Sequence, residues 1–270
     1  MTAPVTVHPV PGLPEIRPGD DLAALLLSAL RAAQLAPADG DVLVIAQKVV
    51  SKAEGARVAL SSIEPSPYAR QWAERWGKDA RLTELVLRQS RRIVRMERGV
   101  LIAETHHGYV CANAGVDLSN AGTGGGAAGG AAGGAAEGGE VAILLPEDPD
   151  RSAQQLREAL RAGTGADVAV IVADTFGRPW RVGLTQVALG VAGLAPLVDY
   201  RESPDVDGRT LHATIIAVAD ELACAADLVC GKTRRVPAAV VRGFPRPEGP
   251  GAVEAPGTAL IRAPEMDLFR

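Results

Sequence analysis

The sequence predicts an α+β fold in which mixed, largely antiparallel sheets pack against amphipathic helices. Apolar, strand-like runs do not alternate regularly with helical segments, as they would in a doubly wound parallel sheet. Three of these runs follow one another between residues 92 and 112 and are joined by tight glycine turns, which is typical of local antiparallel sheet. At 270 residues and 47% hydrophobic composition, the chain has enough apolar material to bury a sizeable core.

The N-terminal half is expected to contain helices and strands in separate groups. An aspartate at position 20 or 21 caps a predicted helix that runs to about Gln34, since its leucines recur on one face. The apolar run of Asp41–Ala46 predicts a buried strand, which stops at the polar Gln47 and Lys48. The other expected elements are helices over Pro67–Arg75 and Asp79–Arg91 and strands over Arg92–Met96, Gly99–Glu104 and Tyr109–Ala112.

The C-terminal half repeats this mixture. The expected elements are helices over Gln154–Ala162 and Asp220–Val229 and strands over Val168–Ala173, Leu211–Ala217 and Pro237–Arg242. We interpret residues 1–270 as a single unit, with two interleaved subdomains as the alternative arrangement.

A low-complexity tract interrupts the chain at residues 122–139. It holds 10 of the 30 glycines and six alanines in a near GGAA repeat, so it has no side chains with which to build a core. It also lacks the lysine and the flanking strand of a phosphate-binding P-loop, and we predict a flexible surface insertion. Gly231-Lys232-Thr233 resembles the end of a P-loop, but Ala226 stands where the first glycine belongs, which favours an ordinary loop.

Composition excludes several classes of function. The 28 basic and 32 acidic residues give a net charge of −4, and aromatics are 3% of the chain, so neither nucleic acid nor an anionic membrane is an expected partner. Neither a signal peptide nor an apolar run long enough to span a bilayer is evident, and the cytoplasm is the expected location. The spacing of Cys111, Cys224 and Cys230 fits no zinc site and favours buried, unreactive thiols.

Polar residues that follow a predicted buried strand make the strongest candidate site. Asp174 and Thr175 offer hard oxygen ligands for Mg²⁺ or Mn²⁺, and Arg178 and Arg181 offer bidentate donors to phosphate or carboxylate. The alternative is a solvated turn whose aspartate caps a helix and whose arginines are surface charges.

Two further segments have similar chemistry. Asp117 and Asn120 follow small residues that allow close approach of a ligand, although an Asx turn joining two strands explains them equally well. Lys52 lies shortly after the first buried strand and is suited to neutralise phosphate, or else is simply solvated. His106 and His107 lie in a predicted hairpin turn, and no Ser-His-Asp arrangement is evident. Metal-assisted handling of phosphate is therefore favoured over nucleophilic catalysis.

Taken together and in order, the motifs resemble the coenzyme F420:L-glutamate ligase family. The resemblance rests on Gly-Leu-Pro-Glu-Ile, Ser-Lys-Ala-Glu-Gly, Ala-Gly-Val-Asp-Leu-Ser-Asn and Asp-Thr-Phe-Gly-Arg-Pro-Trp-Arg, which begin at Gly12, Ser51, Ala114 and Asp174. It extends through Leu144–Asp150, Gly190–Leu194, Ala217–Leu222 and Asp267–Phe269, and so covers almost the whole chain.

The resemblance implies a GTP-dependent ligase that joins L-glutamate to coenzyme F420-0, a phospholactyl deazaflavin, and continues with further γ-linked glutamates. It also implies the F420-0:gamma-glutamyl ligase-like α+β fold, a homodimer with the nucleotide site near the subunit interface, and a requirement for Mg²⁺ or Mn²⁺ with K⁺ as a helper. We expect an acyl phosphate as the intermediate, because a carboxylate is a poor acyl donor until it is phosphorylated.

The resemblance also assigns roles to individual residues. Those expected to contact the nucleotide are Leu13, Pro14, Glu15, Ile16, Gln47, Lys52 and Asn120. Those expected to hold divalent metal are Asp117, Asp174 and Thr175. As a separate hypothesis from their chemistry, Asp117, Asp174 and Arg178 are the expected catalytic residues, with Arg181 beside Arg178 as a second group for substrate anions.

Two departures from the family pattern stand out. The Gly/Ala tract follows Asn120, where only a short connector is expected, and the chain ends without the nitroreductase-like domain that some relatives carry, which predicts the ligase step alone. Two alternatives stay open: a nucleotide-dependent ligase for a different carboxylic acid, and a non-catalytic nucleotide-binding module with the tract as a tether. The presence of both aspartates and Lys52 argues against the second.

Overall fold

The computed structural model describes residues 4–119, 140–247, 249 and 251–268. The chain divides into a large unit, made of Met1–Ala53 and Asp148–Arg270, and a small unit, Glu54–Glu147, which is inserted between those two segments. The predicted insertion at 122–139 and the candidate residue Asn120 lie outside the described residues.

The described residues form six helices and thirteen strands. The helices are α1 (Leu22–Ala32), α2 (Gln47–Ala53), α3 (Pro67–Trp76), α4 (Ala80–Arg88), α5 (Pro149–Thr164) and α6 (Val218–Cys230). The strands are β1 (Thr6–Pro9), β2 (Val42–Ala46), β3 (Arg57–Ala59), β4 (Ser90–Glu97), β5 (Val100–Thr105), β6 (Val110–Ala112), β7 (Asp117–Ser119), β8 (Val141–Ile143), β9 (Ala169–Arg178), β10 (Arg181–Ala192), β11 (Val198–Asp199), β12 (Ile215–Ile216) and β13 (Ala238–Arg242). Single 3₁₀ turns occur at Leu60–Ser62, Asn113–Gly115, Gly257–Leu260 and Pro264–Met266.

A five-stranded sheet in the order β1-β13-β2-β9-β10 organises the large unit. Only β2 and β9 are parallel, and the other neighbours are antiparallel. Alternate side chains of a strand point to opposite faces, so β2 and β9 supply both sides of the sheet with apolar groups. Leu43 and Val170 join the core that includes α1 and α5, whereas Val44 and Ile171 join the core that includes α6. Burial on both faces explains why these two strands read as uninterrupted apolar runs.

The small unit contains two three-stranded sheets and the helices α3 and α4. The sheets have the orders β3-β8-β7 and β4-β5-β6, and all their pairings are antiparallel. Leu60, Leu85, Leu101 and Ala142 are among the residues of its separate core. The prediction of three consecutive antiparallel strands in this part of the chain is confirmed.

Helix starts follow the capping chemistry expected from the sequence. The Asp21 carboxylate accepts a hydrogen bond from the main-chain N–H of Ala24, which confirms the predicted start of α1. Asp148 caps α5 in the same way through Arg151, and Pro149 occupies the first turn, so α5 begins five residues before the predicted helix.

Several predicted boundaries were wrong. The expected strand over Leu211–Ala217 contains only Ile215–Ile216, because its partner β11 is itself two residues long. The helix α2 was not predicted, since it is only seven residues long and follows β2 directly. The strand β10 was also missed, because its glycines, Thr185 and Gln186 interrupt the apolar pattern and only pairing with β9 makes it a strand.

The predicted fold class is confirmed: the structure is α+β, with largely antiparallel sheets and packed helices. None of the helices in the described part of the chain is long and apolar enough to cross a membrane.

One close backbone contact yields a test of this packing. A Cβ atom built on Gly190 in β10 would lie 1.9 Å from the carbonyl oxygen of Pro149, where α5 packs against the strand. We expect Gly190→Ala to lower the free energy of unfolding by about 2 kcal/mol, because backbone must move to relieve the overlap. The measurement is urea denaturation.

Gly177→Ala is the matched control, because Gly177 is also a strand glycine and its added Cβ would meet only a Leu184 methyl carbon, at 3.8 Å. Its unfolding free energy should change by less than about 0.5 kcal/mol. Equal stability of the two variants would contradict this account of the α5–β10 contact.

Candidate active site

At one edge of the main sheet, the carboxyl end of β2 lies level with the end of the buried part of the parallel strand β9. Ala46 pairs with Ala173 in the register, so the next residues, Gln47 and Asp174, emerge at the same level. In sheets with parallel strands, ligands bind characteristically at the carboxyl ends of those strands. We call this edge, with its residues from β2, α2, β9, β10 and α6, the carboxyl edge.

The predicted loop at Asp174–Arg181 is instead the end of a long hairpin. Strand β9 continues through Asp174 to Arg178, and β10 begins at Arg181 after a two-residue turn in which Trp180 has a φ of 57°. The hairpin therefore extends five residues beyond the end of β2, and we call its segment 174–186 the arm. Asp117 is likewise the first residue of a strand, β7, and not part of a loop.

Asp174 and Thr175 project to opposite faces of the arm. They are consecutive residues in a regular part of β9, where Asp174 pairs with Val187 and Thr175 with Gln186. Thr175 continues the row of Ile171 and Ala173, which belong to the core beneath α6. Asp174 continues the opposite row, which faces the core of α1 and α5.

The hydroxyl of Thr175 is held by two donors. Gln186 Nε2 donates to Thr175 Oγ1 at 3.0 Å and also to Asp227 Oδ1 at 3.0 Å. Lys232 Nζ donates to the same Thr175 oxygen. Side chains from β9, β10, α6 and the loop after α6 therefore converge on one point of the carboxyl edge.

Sequence reasoning missed Gln186, Asp227 and Lys232 as site residues. The Gly231-Lys232-Thr233 motif forms a loop, as predicted, yet its lysine reaches Thr175. Its P-loop-like composition was the available signal. For Gln186 and Asp227 the sequence offers none, because they are separated from Thr175 by 11 and 52 positions and meet it only through the sheet register and the packing of α6.

On the α2 side, two polar residues are buried at the carboxyl edge. Gln47 is 2% exposed and Ser51 is fully buried, and the Ser51 hydroxyl donates to Gln47 Oε1 at 2.8 Å. Since the carbonyl oxygen of the Gln47 amide is occupied by this bond, its NH₂ group is the part available to a ligand.

The structure brings together two groups predicted to contact nucleotide. Lys52 on α2 forms an ion pair with Glu15, and its side chain is only 15% exposed whereas that of Glu15 is 77% exposed. Ile16 is buried in the core beside α2, Leu13 is partly buried against the same core, and Pro14 is exposed. The segment Leu13–Ile16 therefore runs beside the helix that carries Gln47 and Lys52.

The two arginines of the arm lie at its tip. Arg178 and Arg181 pair with each other in the register and both are exposed. Arg178 Nη2 lies 3.4 Å from the carbonyl oxygen of Val182, a weak hydrogen bond at most. Their guanidinium groups remain accessible to an anion.

Asp117 belongs to the small unit and Asp174 to the large one. Among the described residues, no group of three or more His, Cys, Asp or Glu side chains could hold a metal ion. A Mg²⁺ or Mn²⁺ ion at either aspartate would take its remaining ligands from water, main-chain oxygens or a phosphate, as Mg²⁺ commonly does at nucleotide sites.

Sequence comparison now identifies the chain. The sequence profile of F420-0:Gamma-glutamyl ligase matches residues 12–243. The chain belongs to this family. The resemblance found from the motifs is thereby confirmed, and the arm, α2 and the Lys232 loop of this F420-0:gamma-glutamyl ligase family member all lie within the matched region.

Three relatives match over nearly their whole length. Coenzyme F420:L-glutamate ligase of Methanopyrus kandleri is 46% identical over 269 residues, covering 98% of this chain and 97% of the relative. The protein of the same name from Methanothermobacter thermautotrophicus is 44% identical over 264 residues, with 97% of each chain covered. That of Haloarcula marismortui is 39% identical over 271 residues, with 98% and 95% covered.

The histidines of this family member have structural contacts. His106 Nε2 lies 2.9 Å from the carbonyl oxygen of Arg88, and His107 Nε2 lies 2.9 Å from that of Pro146 and 3.1 Å from that of Glu147. Both residues lie in the turn between β5 and β6, as predicted. Their rings tie that turn to neighbouring main chain.

The cysteines are free thiols with little nucleophilic character. Cys111 is buried, and Cys224 donates to the carbonyl oxygen of Gln186 at 3.3 Å. Burial, reinforced by the charge of Asp227, raises the pKa of Cys230 to about 11, and burial also raises the pKa of Cys224. A thiolate nucleophile at either position is therefore disfavoured at neutral pH.

This predicts slow alkylation of Cys230 in the folded protein. At pH 8 a thiol of pKa about 11 is ionised in roughly one molecule in a thousand, so iodoacetamide should modify folded Cys230 on the order of 100-fold more slowly than the urea-unfolded chain. The rate should rise as the pH approaches 11. Peptide mass spectrometry measures both rates, and equal rates at pH 8 would show that the thiol is not shielded.

Proposed function

We propose that the chain catalyses the GTP-dependent addition of L-glutamate to coenzyme F420-0 and continues with further γ-linked glutamates. The observation that carries the proposal is the near full-length identity of 44–46% to two proteins named Coenzyme F420:L-glutamate ligase. The chemistry of the carboxyl edge supports it, since amide donors, lysines and a carboxylate are the groups that a nucleotide phosphate chain and its metal require.

The nucleotide is proposed to bind along the carboxyl edge of the large unit. The NH₂ group of Gln47 and the ammonium groups of Lys52 and Lys232 supply hydrogen-bond donors and positive charge in a protein whose net charge is −4. Charge must therefore be concentrated locally to hold a triphosphate. The Lys52–Glu15 ion pair holds the segment Leu13–Ile16 beside Lys52, and this segment is proposed to line the nucleotide site next to the lysine. The contact between Asn120 and the nucleotide remains a prediction from the family motif.

Asp174 and Asp117 are each proposed as ligands of Mg²⁺ or Mn²⁺. Carboxylate oxygens are the ligands that these hard cations prefer, and Mg²⁺ is usually held by one or two carboxylates together with substrate phosphates. Bound metal would neutralise the phosphate charges during transfer. The requirement for K⁺ stays a prediction from the resemblance.

The proposed chemistry has two balanced steps. A carboxylate oxygen of F420-0 attacks the γ-phosphorus of GTP, the bond to the bridging oxygen breaks, and GDP leaves with its electron pair. The nitrogen of glutamate then attacks the acyl carbon, inorganic phosphate leaves, and the nitrogen loses a proton. Arg178 and Arg181 are proposed to hold the carboxylate and phosphate groups of the substrates, for which guanidinium is suited.

The arm supports the proposal that the enzyme is a homodimer. Trp180, Val182 and Leu184 are 81%, 101% and 64% exposed, and β10 is an edge strand. Long edge strands with exposed apolar side chains pair readily with another chain. Cytoplasmic localisation is proposed as well, since the free thiols of Cys111, Cys224 and Cys230 suit a reducing compartment.

The deciding experiment is incubation of the protein with GTP, Mn²⁺, L-glutamate and F420-0, followed by mass spectrometry of the deazaflavin. We expect products heavier by one or more glutamyl units, with GDP and phosphate released in equal amounts. Unchanged F420-0 alongside modification of another carboxylic acid would support the alternative acceptor instead. Absence of GTP turnover with any acceptor would favour a non-catalytic binding protein.

Replacement of one carboxylate oxygen by an amide tests the metal assignment. We expect Asp174→Asn to lower kcat at least about 100-fold and to raise the half-saturating concentration of Mn²⁺, because a neutral amide is a far weaker ligand. Steady-state assays over a Mn²⁺ series measure both. Asp199→Asn is a control on another strand of the large unit, since Asp199 pairs with Arg201, and should retain wild-type kinetics. Full activity of Asp174→Asn at saturating Mn²⁺ would refute the assignment.

A further inference from the structure

The hydrogen-bond pattern around Thr175 determines what its hydroxyl can offer a ligand. A hydroxyl has one hydrogen to donate and two lone pairs that accept. Gln186 Nε2 and Lys232 Nζ both donate to Thr175 Oγ1, so both lone pairs are occupied. The hydroxyl can still donate its own hydrogen, which must point away from these two donors.

The orientation of the Gln186 amide is set by Asp227. A carboxylate accepts hydrogen bonds and donates none, and Gln186 Nε2 lies 3.0 Å from Asp227 Oδ1 and 3.0 Å from Thr175 Oγ1. The Gln186 NH₂ group therefore donates one hydrogen to Asp227 and the other to Thr175. Rotation of the amide by half a turn would place its oxygen against the carboxylate, which is unfavourable. Gln186 is therefore held as a donor to Thr175.

Asp227 carries a negative charge at a helix position that does not favour one. It lies in the last turn of α6, where the helix dipole disfavours negative charge. The same residue accepts the main-chain N–H of Gly231 at 3.0 Å through its carbonyl oxygen, next to Lys232. Asp227 thus anchors Gln186, one of the two donors of Thr175, through its side chain.

We propose that Gln186 is a positioning residue that directs the Thr175 hydroxyl as a hydrogen-bond donor toward an anionic phosphate oxygen of the nucleotide. Thr175 then contacts phosphate and does not ligate metal through its hydroxyl. Asp174 ligates the metal from the opposite face of the strand. This inference rests on the proposed nucleotide site, and it replaces the metal role that the family resemblance implies for the Thr175 side chain.

A double-mutant cycle tests the coupling of the two residues. Gln186→Met keeps the length of the side chain but removes the donor, and Thr175→Val keeps the shape but removes the hydroxyl. Each is expected to raise KM for GTP roughly tenfold, the loss typical for a hydrogen bond to a charged group, and to change kcat less than about threefold. The double variant should have the same KM as Thr175→Val, because Gln186 acts through that hydroxyl.

Two matched variants separate positioning from general damage. Thr175→Ser retains the hydroxyl and should restore KM to within about twofold of wild type. Gln155→Met, on the exposed surface of α5, makes the same chemical change as Gln186→Met and should leave KM unaltered. A Gln186→Met effect that multiplies with that of Thr175→Val would show that Gln186 acts elsewhere, and the proposal would be overturned. A wild-type KM in Gln186→Met would overturn it equally.

The metal dependence distinguishes a donor from a ligand. At saturating GTP, Thr175→Val should need the same Mn²⁺ concentration for half-maximal activity as wild type, within about twofold. An increase of tenfold or more, comparable to that of Asp174→Asn, would identify Thr175 as a metal ligand and contradict the inference.

Failure of the inference can be told apart from failure of the proposed function. Titration calorimetry with GTP and Mn²⁺ is performed on every variant, beside the ligase assay of the wild-type protein. If the wild type binds GTP but does not modify F420-0, the proposed reaction fails while the cycle is still evaluated from dissociation constants. If the wild type is an active ligase and the cycle is additive, only the role of Gln186 fails.

Discussion

Parallel pairing of β2 with β9 is the interaction on which the rest of the structure depends. It is the only parallel contact in the main sheet, and it places the end of β2 level with the end of the buried part of β9. Gln47 and Asp174 emerge beside each other as a consequence. The carboxyl edge exists because β2 ends level with the point where β9 passes from its buried residues into the arm.

Hydrogen bonding then determines the chemical character of that edge. The Gln47 amide oxygen accepts from Ser51, which leaves the Gln47 NH₂ group as a donor in a fixed direction, whereas the Gln186 NH₂ group donates both hydrogens to Thr175 and Asp227. Preoriented donors bind an anion without reorganising, which compensates for the small negative net charge of the whole chain. The same α6 that packs against the sheet through Leu222 and Ala226 supplies Asp227 at its end, so the core and the site share one element.

The extent to which the site was predictable differs between its residues. Glu15 and Lys52 lie within motifs that are recognisable in the sequence, and the structure joins them as an ion pair. Asp174 was singled out because the apolar run of a buried strand ends just before it. Thr175 was grouped with Asp174 since the two are consecutive, yet β9 continues through both and sends them to opposite faces. Gln186 lacks any local signal, because its role arises from pairing across the hairpin.

By itself, the sequence determined the fold class, the buried strands and the family, because these depend on periodicity and on motifs of contiguous residues. The residues that it assigns to phosphate and metal chemistry remain predictions. The tertiary structure alone decided that 174–186 is a hairpin arm, that α2 is a helix, and that Lys232 and Gln186 meet at Thr175. The physical reason is that strand register and helix packing join positions far apart in the chain. A local sequence pattern does not indicate which donor will face which acceptor.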